Sequence, residues 1–128
     1  MPELVSFDYA TIRIAPRVER EEFVNAGVIV FCLGERFLDA KVVLDEGRVR
    51  ALWPAADLEP WLAHLQAFPR ICAGEAEAGP IALLPIRERF HWLVAPRSTV
   101  IQVSPVHAGL CESPAVALED LFRRLVAD

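Results

Sequence analysis

The stretch Ala26 to Leu33, AGVIVFCL, decides the fold, because it is continuously apolar and rich in β-branched residues. This pattern is typical of a central strand that is covered on both faces, or on one face and by a partner chain. Gly34 and Glu35 then give a two-residue turn, and Phe37 to Leu44 (FLDAKVVL) returns as the antiparallel neighbour. The sequence therefore predicts a central β-hairpin.

Two further strands are predicted, one before and one after the hairpin. Phe7 to Ile14 (FDYATIRI) has strand composition with partial alternation and is bounded by Pro16. Thr99 to Ser104 (TVIQVS) is the last strand and is stopped by Pro105. Together with the hairpin they give a sheet of about four strands.

Apolar residues at helical spacing predict three main helices. Asp57 is a candidate N-cap for a helix that ends near Phe68 and Pro69. A shorter helix runs from Ile86 to Val94, and Ser113 followed by Pro114 begins a C-terminal helix. This order of elements favours a single α+β domain over residues 1–128, with a mainly antiparallel sheet and helices packed on one face.

Composition narrows the class of protein. Hydrophobic residues make up 54% and charged residues 24% of the 128 residues, which is the composition of a packed globule. The formal net charge of -5 repels polyanions, so we expect no nucleic acid partner. The longest apolar run is too short to span a bilayer, and the start of the chain lacks a signal-peptide pattern. We expect a cytoplasmic protein that does not enter the membrane.

Common catalytic and metal-binding motifs are missing from the sequence. The sequence contains neither of the glycine-rich nucleotide-binding patterns, G-x-x-x-x-G-K-S/T and G-x-G-x-x-G after a strand. It also contains no H-E-x-x-H and no G-x-S-x-G. The three cysteines include no C-x-x-C pair. We therefore expect no cofactor and no metal, and the sequence identifies no catalytic residue.

The first polar candidate set lies between the first strand and the buried one: Arg13, Arg17, Glu22 and Asn25. Such charges can bind an anion or a carboxylate if the connection holds them rigidly. Alternatively, this is a solvated connection whose acidic residues neutralise the arginines. Asn25 directly precedes a buried strand and must find partners, and Gly27 would allow a neighbouring backbone to approach closely.

The second polar candidate set surrounds the short helix and the last strand: Arg89, His91, Arg97, Ser98, Thr99 and Gln102. His91 could act as a general base or donate to an anion, with Arg97 stabilising negative charge. Equally, His91 could be a hydrogen-bonded structural residue. Gln102 lies in an apolar strand and needs a partner. We expect the two sets to flank the same sheet and to converge.

Four motifs occur together in the sequence: YATIR at 9–13, EFVNAGVI at 22–29, RFHWL at 89–93 and APRSTVIQ at 95–102. In this combination they resemble the bacterial domain-of-unknown-function family 3037. The resemblance implies a small single-domain bacterial protein with no established reaction. It also implies a gene often found beside one for a kinase-like protein similar to the toxin HipA. It supplies no catalytic residues, so the members of the two polar sets match the family only as motif positions.

Two functional hypotheses follow. The favoured one is a protein-interaction or regulatory module that binds another protein, either a HipA-like kinase or a second copy of itself as a homodimer. The alternative is a small hydrolase or phosphate-ester enzyme that uses His91 with Glu22 and the arginines, in a pocket where the two polar sets meet.

Overall fold

A five-stranded antiparallel sheet forms the centre of the computed structural model, which describes residues 3–127. The strands are β1 (Val5–Ile14), β2 (Val24–Cys32), β3 (Phe37–Val42), β4 (Ile101–Val103) and β5 (His107–Cys111). The order is β3-β2-β1-β4, and β5 also pairs with β1. The predicted α+β class with a mainly antiparallel sheet is confirmed.

Four α-helices accompany the sheet within the described residues. They are α1 (Glu46–Leu52), α2 (Glu59–Cys72), α3 (Ile86–Leu93) and α4 (Pro114–Phe122), and a π-helical turn, Arg123–Ala127, extends α4. The Ser113 hydroxyl accepts a hydrogen bond from the Val116 N–H at 3.4 Å, which confirms the predicted N-cap of α4.

The bounds of α2 differ from the prediction at both ends. Leu58, not Asp57, is the N-cap residue, and no side chain caps this end. The helix also continues past Pro69 to Cys72. Ile71 and Cys72 are buried in the core, and this packing offsets the hydrogen bond that Pro69 cannot donate.

Strand β2 is buried on both faces, as its apolar run predicts. Ile29 and Phe31 belong to the cluster that includes the buried residues of α1, α2 and α3. Val28 and Val30 pack into a second cluster with Leu118 of α4. The prediction of helices on one face therefore holds for α1 to α3 and is wrong for α4. Successive side chains of β2 point to opposite faces, so each face needs its own cover.

The short strand β5 was missed by the sequence analysis. Strands β4 and β5 follow each other along one edge of β1. Between the pairs Ile12–Val103 and Tyr9–His107, two residues of β1 face the three residues 104–106, which include Pro105. This extra residue is a bulge, and bulges are where a sheet tolerates proline. The sheet therefore has four positions, the last shared by β4 and β5.

A glycine in β5 concealed the strand from sequence analysis, because glycine is depleted in strands. Gly109 pairs with Phe7 of β1. A Cβ atom on Gly109 would lie 2.9 Å from two ring carbons of Phe7. The aromatic ring therefore covers the position that the glycine leaves open, as aromatic residues do for edge glycines.

Ser104 connects the two parts of this edge. It is the one buried polar residue of the described chain, 3% exposed. Its hydroxyl accepts from the Thr11 N–H at 2.9 Å and donates to the Pro105 carbonyl at 2.9 Å, and its own N–H donates to the Thr11 carbonyl at 2.8 Å. The serine therefore completes the backbone pairing of β1 across the bulge.

Replacing Ser104 with alanine should destabilise the protein, because the Thr11 N–H loses its acceptor in a partly buried setting. We expect Ser104→Ala to lower the free energy of unfolding by about 1–3 kcal/mol. Urea unfolding followed by tryptophan fluorescence measures this change. Ser6→Ala is the matched control, since Ser6 is exposed on β1, the strand that carries Thr11, and equal effects of the two variants would contradict the assignment.

A substitution at Gly27 tests how closely β2 and β3 approach each other. A Cβ atom there would lie 2.6 Å from the Lys41 carbonyl oxygen, which confirms the predicted approach of a neighbouring backbone. We expect Gly27→Ala to lower the free energy of unfolding by about 1–3 kcal/mol. Gly34 meets nothing within 4 Å, so Gly34→Ala should leave stability unchanged or raise it by up to about 1 kcal/mol. Equal unfolding midpoints in urea would refute this reading.

Candidate functional site

The two polar sets meet where β1 and β4 pair. Arg13 of β1 lies directly opposite Gln102 of β4. Helix α4 packs on β2 and β3, so it does not extend over this part of the same sheet face, where the short 3-10 turn Val18–Arg20 lies nearby. A cavity of about 310 Å³ opens here. It is lined by Arg13, Ala15, Val18, Glu21, Phe23, Arg97, Ser98 and Gln102.

Arg13 is held in the cavity by an aromatic ring. Its guanidinium carbon lies 4.1 Å from the ring centre of Phe23, within cation–π range. The side chain is half-buried, and its Nε atom is fully buried without a hydrogen-bond partner. Buried donors are normally paired, so an unpaired Nε–H is unusual.

Arg97 is fixed by the helix that precedes it. Its Nη2 atom donates to the Trp92 carbonyl at 2.6 Å and its Nη1 atom to the Leu93 carbonyl at 3.4 Å. The guanidinium also stacks on the Trp92 ring, with 4.5 Å from its carbon to the ring centre. These contacts close the C-terminal end of α3 and set the direction of the cation.

The other members of the first polar set lie outside the cavity. Arg17 is exposed, 3.5 Å from Glu19, and lies over the Trp53 ring. Glu22 forms an ion pair with Arg20. The Asn25 side chain donates to the Leu125 carbonyl at 3.0 Å, so its amide joins β2 to the turn after α4. The expected convergence holds for Arg13 and not for these three residues.

Three members of the second set also lie elsewhere. The Arg89 Nη1 atom donates to the Ala82 carbonyl at 3.2 Å, and its Nε atom is buried without a partner. The Thr99 hydroxyl donates to the Ile101 carbonyl at 2.8 Å. His91 is exposed on α3, next to Phe90, which stacks on Phe31 on the opposite sheet face from Arg13. Neither His91 nor Glu22 lines the cavity.

An electrostatic effect of Arg97 reaches α2. The His64 ring stacks on Phe68, with the ring centres 6.0 Å apart, while its outer side is exposed. Dehydration on the packed side and then the charge of Arg97 lower the pKa of His64. This histidine is therefore harder to protonate in the folded chain than in the unfolded chain.

A second surface feature is an apolar groove between β5 and α4. Its volume is about 430 Å³. It is lined by Phe7, Leu110, Cys111, Glu112, Ser113, Val116, Ala117, Asp120, Leu121 and Arg124. Leu110 and Val116 are 67% and 66% exposed, although both are large and apolar. The polar lining includes Asp120 and Arg124, which form an ion pair at 3.1 Å.

Cys111 in this groove is not an activated nucleophile. Dehydration, followed by the nearby Cys32 and Glu35, raises the pKa of its thiol. The thiolate is the reactive form, so a raised pKa reduces reactivity at neutral pH. His107 lies four residues away on the same strand, about 13 Å at strand spacing, and its ring packs on Tyr9. The two side chains are therefore too far apart for nucleophile–base contact.

In the part of the chain that the structure describes, no group of three or more His, Cys, Asp or Glu side chains could hold a metal ion. No helix between residues 3 and 127 is both long and apolar enough to cross a bilayer.

Sequence analysis missed the aromatic partners of the two cavity arginines. Phe23 and Trp92 are 46% and 42% exposed and lie beside Arg13 and Arg97. Trp92 lies five residues before Arg97. With Pro96 between them, the sequence did not indicate that the chain folds back over the end of α3. Sequence analysis also did not identify Leu110 and Val116 as neighbours on one surface, because the strand that carries Leu110 was not predicted.

Comparisons with known proteins place the chain in one family. A family model described as a protein of unknown function, DUF3037, matches residues 9–126. The chain therefore belongs to this family. No curated protein matches, and no solved structure matches.

Measuring the pKa of His64 tests whether the charge of Arg97 lies close to this ring. Because the folded pKa lies below the unfolded value of about 6.5, the unfolded chain binds the proton first as the pH falls. The stability contribution of neutral His64 is thus complete above about pH 6.5 and declines below it. We expect Arg97→Gln to raise the His64 pKa and to weaken this decline.

An NMR titration of the His64 ring proton measures the effect, with urea unfolding at several pH values as the stability readout. Arg87→Gln is the matched control, since Arg87 is exposed on α3. A His64 pKa that is the same in Arg97→Gln and in the wild type would contradict the arrangement.

Proposed function

We propose that this member of the DUF3037 family acts in the bacterial cytoplasm as a protein-interaction module that regulates its partner. The docking surface is the β5 edge together with the adjoining apolar groove. The family is described only as proteins of unknown function, so the proposal rests on the surface of this chain.

The observation that carries the proposal is the exposure of Leu110 and Val116 on the groove. Together with Leu83 they are the most exposed of the large apolar residues described, at 67% and 66%. They come from two different elements, β5 and α4, and line one concavity with the buried Phe7 and Leu121. Apolar residues scattered singly on a surface are ordinary, whereas a set around a groove marks a contact site.

The strand beside the groove strengthens this interpretation. Within the described chain, β5 pairs with β1 along one edge and with no strand along the other. An open edge presents backbone donors and acceptors that an extended segment of another protein can pair with. Backbone pairing would supply affinity, and side chains seated in the groove would supply specificity.

Two partners fit this surface. A second copy could pair through the same edge in a two-fold arrangement, which would give a homodimer. A HipA-like kinase, the partner that the family resemblance implies, could supply an extended segment instead. Both partners use the same groove, so one set of variants tests both.

We expect Leu110→Arg to weaken association with either partner by tenfold or more, because it places a charge in the apolar contact. Light scattering after size exclusion measures self-association, and co-purification at micromolar concentration measures binding to the kinase. Leu83→Arg is the matched control, since Leu83 is also 67% exposed but lies in a short 3-10 turn away from the groove.

Cys111 provides a direct report on the groove. Cys32 and Cys72 are buried, whereas Cys111 is half-buried and lines the groove. A bound partner should slow alkylation of Cys111 at alkaline pH in the wild type and in Leu83→Arg. If the protein stays monomeric, does not bind the kinase and does not alter its stability or phosphorylation, the proposal fails.

A further inference from the structure

The Arg13 side chain lacks a hydrogen-bond acceptor for a buried donor in the described chain. It is half-buried, and its Nε–H is fully buried without an acceptor among residues 3–127. The described chain offers it only the face of Phe23, at 4.1 Å. A cation–π contact leaves the in-plane N–H donors of the guanidinium unused. Burying the Nε–H without an acceptor costs free energy, so its retention calls for an explanation such as a ligand.

Arg97 supplies a second cation to the same cavity. The contacts to the Trp92 and Leu93 carbonyls use two of its five N–H donors. The stacked Trp92 ring limits rotation of the side chain. A guanidinium held in this way loses little further freedom when it binds, which favours affinity.

Neutral polar groups complete the wall of the cavity. Ser98 and Gln102 both line it, and their side chains form no hydrogen bond within the described part of the chain. Glu21 is the one carboxylate in the lining, and neither cavity arginine forms an ion pair with it in residues 3–127. Two cations therefore face one anion, and the unused donors exceed the acceptors.

From this cluster we propose that the cavity binds the oxyanion group of a small organic molecule, a carboxylate or a phosphate. Guanidinium forks match both groups through paired N–H donors. The amide of Gln102 and the hydroxyl of Ser98 supply neutral donors. The volume of about 310 Å³ suits a small molecule. Phe23 and Val18 in the lining would contact its apolar part. The inference does not depend on the proposed docking surface of β5.

The experiment follows the arginine Nε–H signals by NMR during titration at constant ionic strength. The probes are inorganic phosphate and benzoate, which separate the two oxyanion types, and chloride is the screening control. We expect the signals of Arg13 and Arg97 to shift saturably with at least one of the two probes, while the Arg17 signal stays in place. Saturation with phosphate alone, with benzoate alone or with both assigns the oxyanion preference.

Two variants distinguish a binding role from a structural one. We expect Arg13→Met to raise the dissociation constant at least about tenfold. We also expect it to leave the urea midpoint of the anion-free protein unchanged or higher, because it removes an unpaired buried donor. Arg97→Met should weaken binding to a similar extent, and it carries the test if Arg13→Met does not fold. Arg17→Met is the matched control and should bind as the wild type does.

The inference is overturned by shifts that do not saturate with either probe, or by shifts that chloride reproduces. It is also overturned if Arg13→Met or, should that variant not fold, Arg97→Met binds the probe as tightly as the wild type. In that case Arg13 would serve only to pack against Phe23.

Discussion

The whole molecule depends on the burial of β2 on both faces. Every residue from Ala26 to Cys32 is buried, and none of the apolar side chains among them is more than 5% exposed. Burying one large apolar side chain contributes about 1.5–3 kcal/mol, and this strand buries several in succession. A strand of this kind is stable only with neighbours on both edges and cover on both faces. Strands β1 and β3 supply the edges, α1 to α3 cover one face, and α4 covers the other.

The two surface features follow from how α4 covers its face. The helix packs on β2 and β3, where the apolar side chains are. One border of the helix, toward β5, becomes the apolar groove. The part of the same sheet face at β1 and β4 is not covered by α4, and there Arg13 and Gln102 contribute to the cavity. Both features lie on a sheet face that α4 covers only in part.

Most of the arginines contribute little to stability, and Arg13 and Arg89 differ from them in having a buried Nε atom without a partner in the described chain. Ion pairs such as Arg17–Glu19 and Arg50–Glu46 join side chains that are 40–71% exposed, and such pairs are worth about 0–1 kcal/mol. The interpretation of the first polar set as a solvated, locally neutralised connection is thus correct for Arg17 and Glu22. It does not extend to Arg13, which points inward and has no carboxylate partner in the described chain. Residues close together in sequence therefore have different roles.

The sequence by itself determined the elements that local periodicity and turn chemistry control. The two-sided β2 strand, its hairpin partner, the Ser113 cap and the α+β class could all be predicted, because a continuous apolar run and a capping residue act through neighbouring positions. Only the tertiary structure decided which face α4 covers, where β5 pairs and which polar residues meet. Gly109 forms a strand because the Phe7 ring, distant in sequence, covers it. Arg13 lines a cavity beside Gln102, 89 positions away, and Asn25 joins β2 to the turn after α4 through Leu125, 100 positions away. Long-range pairing of this kind leaves no periodic signal in the sequence.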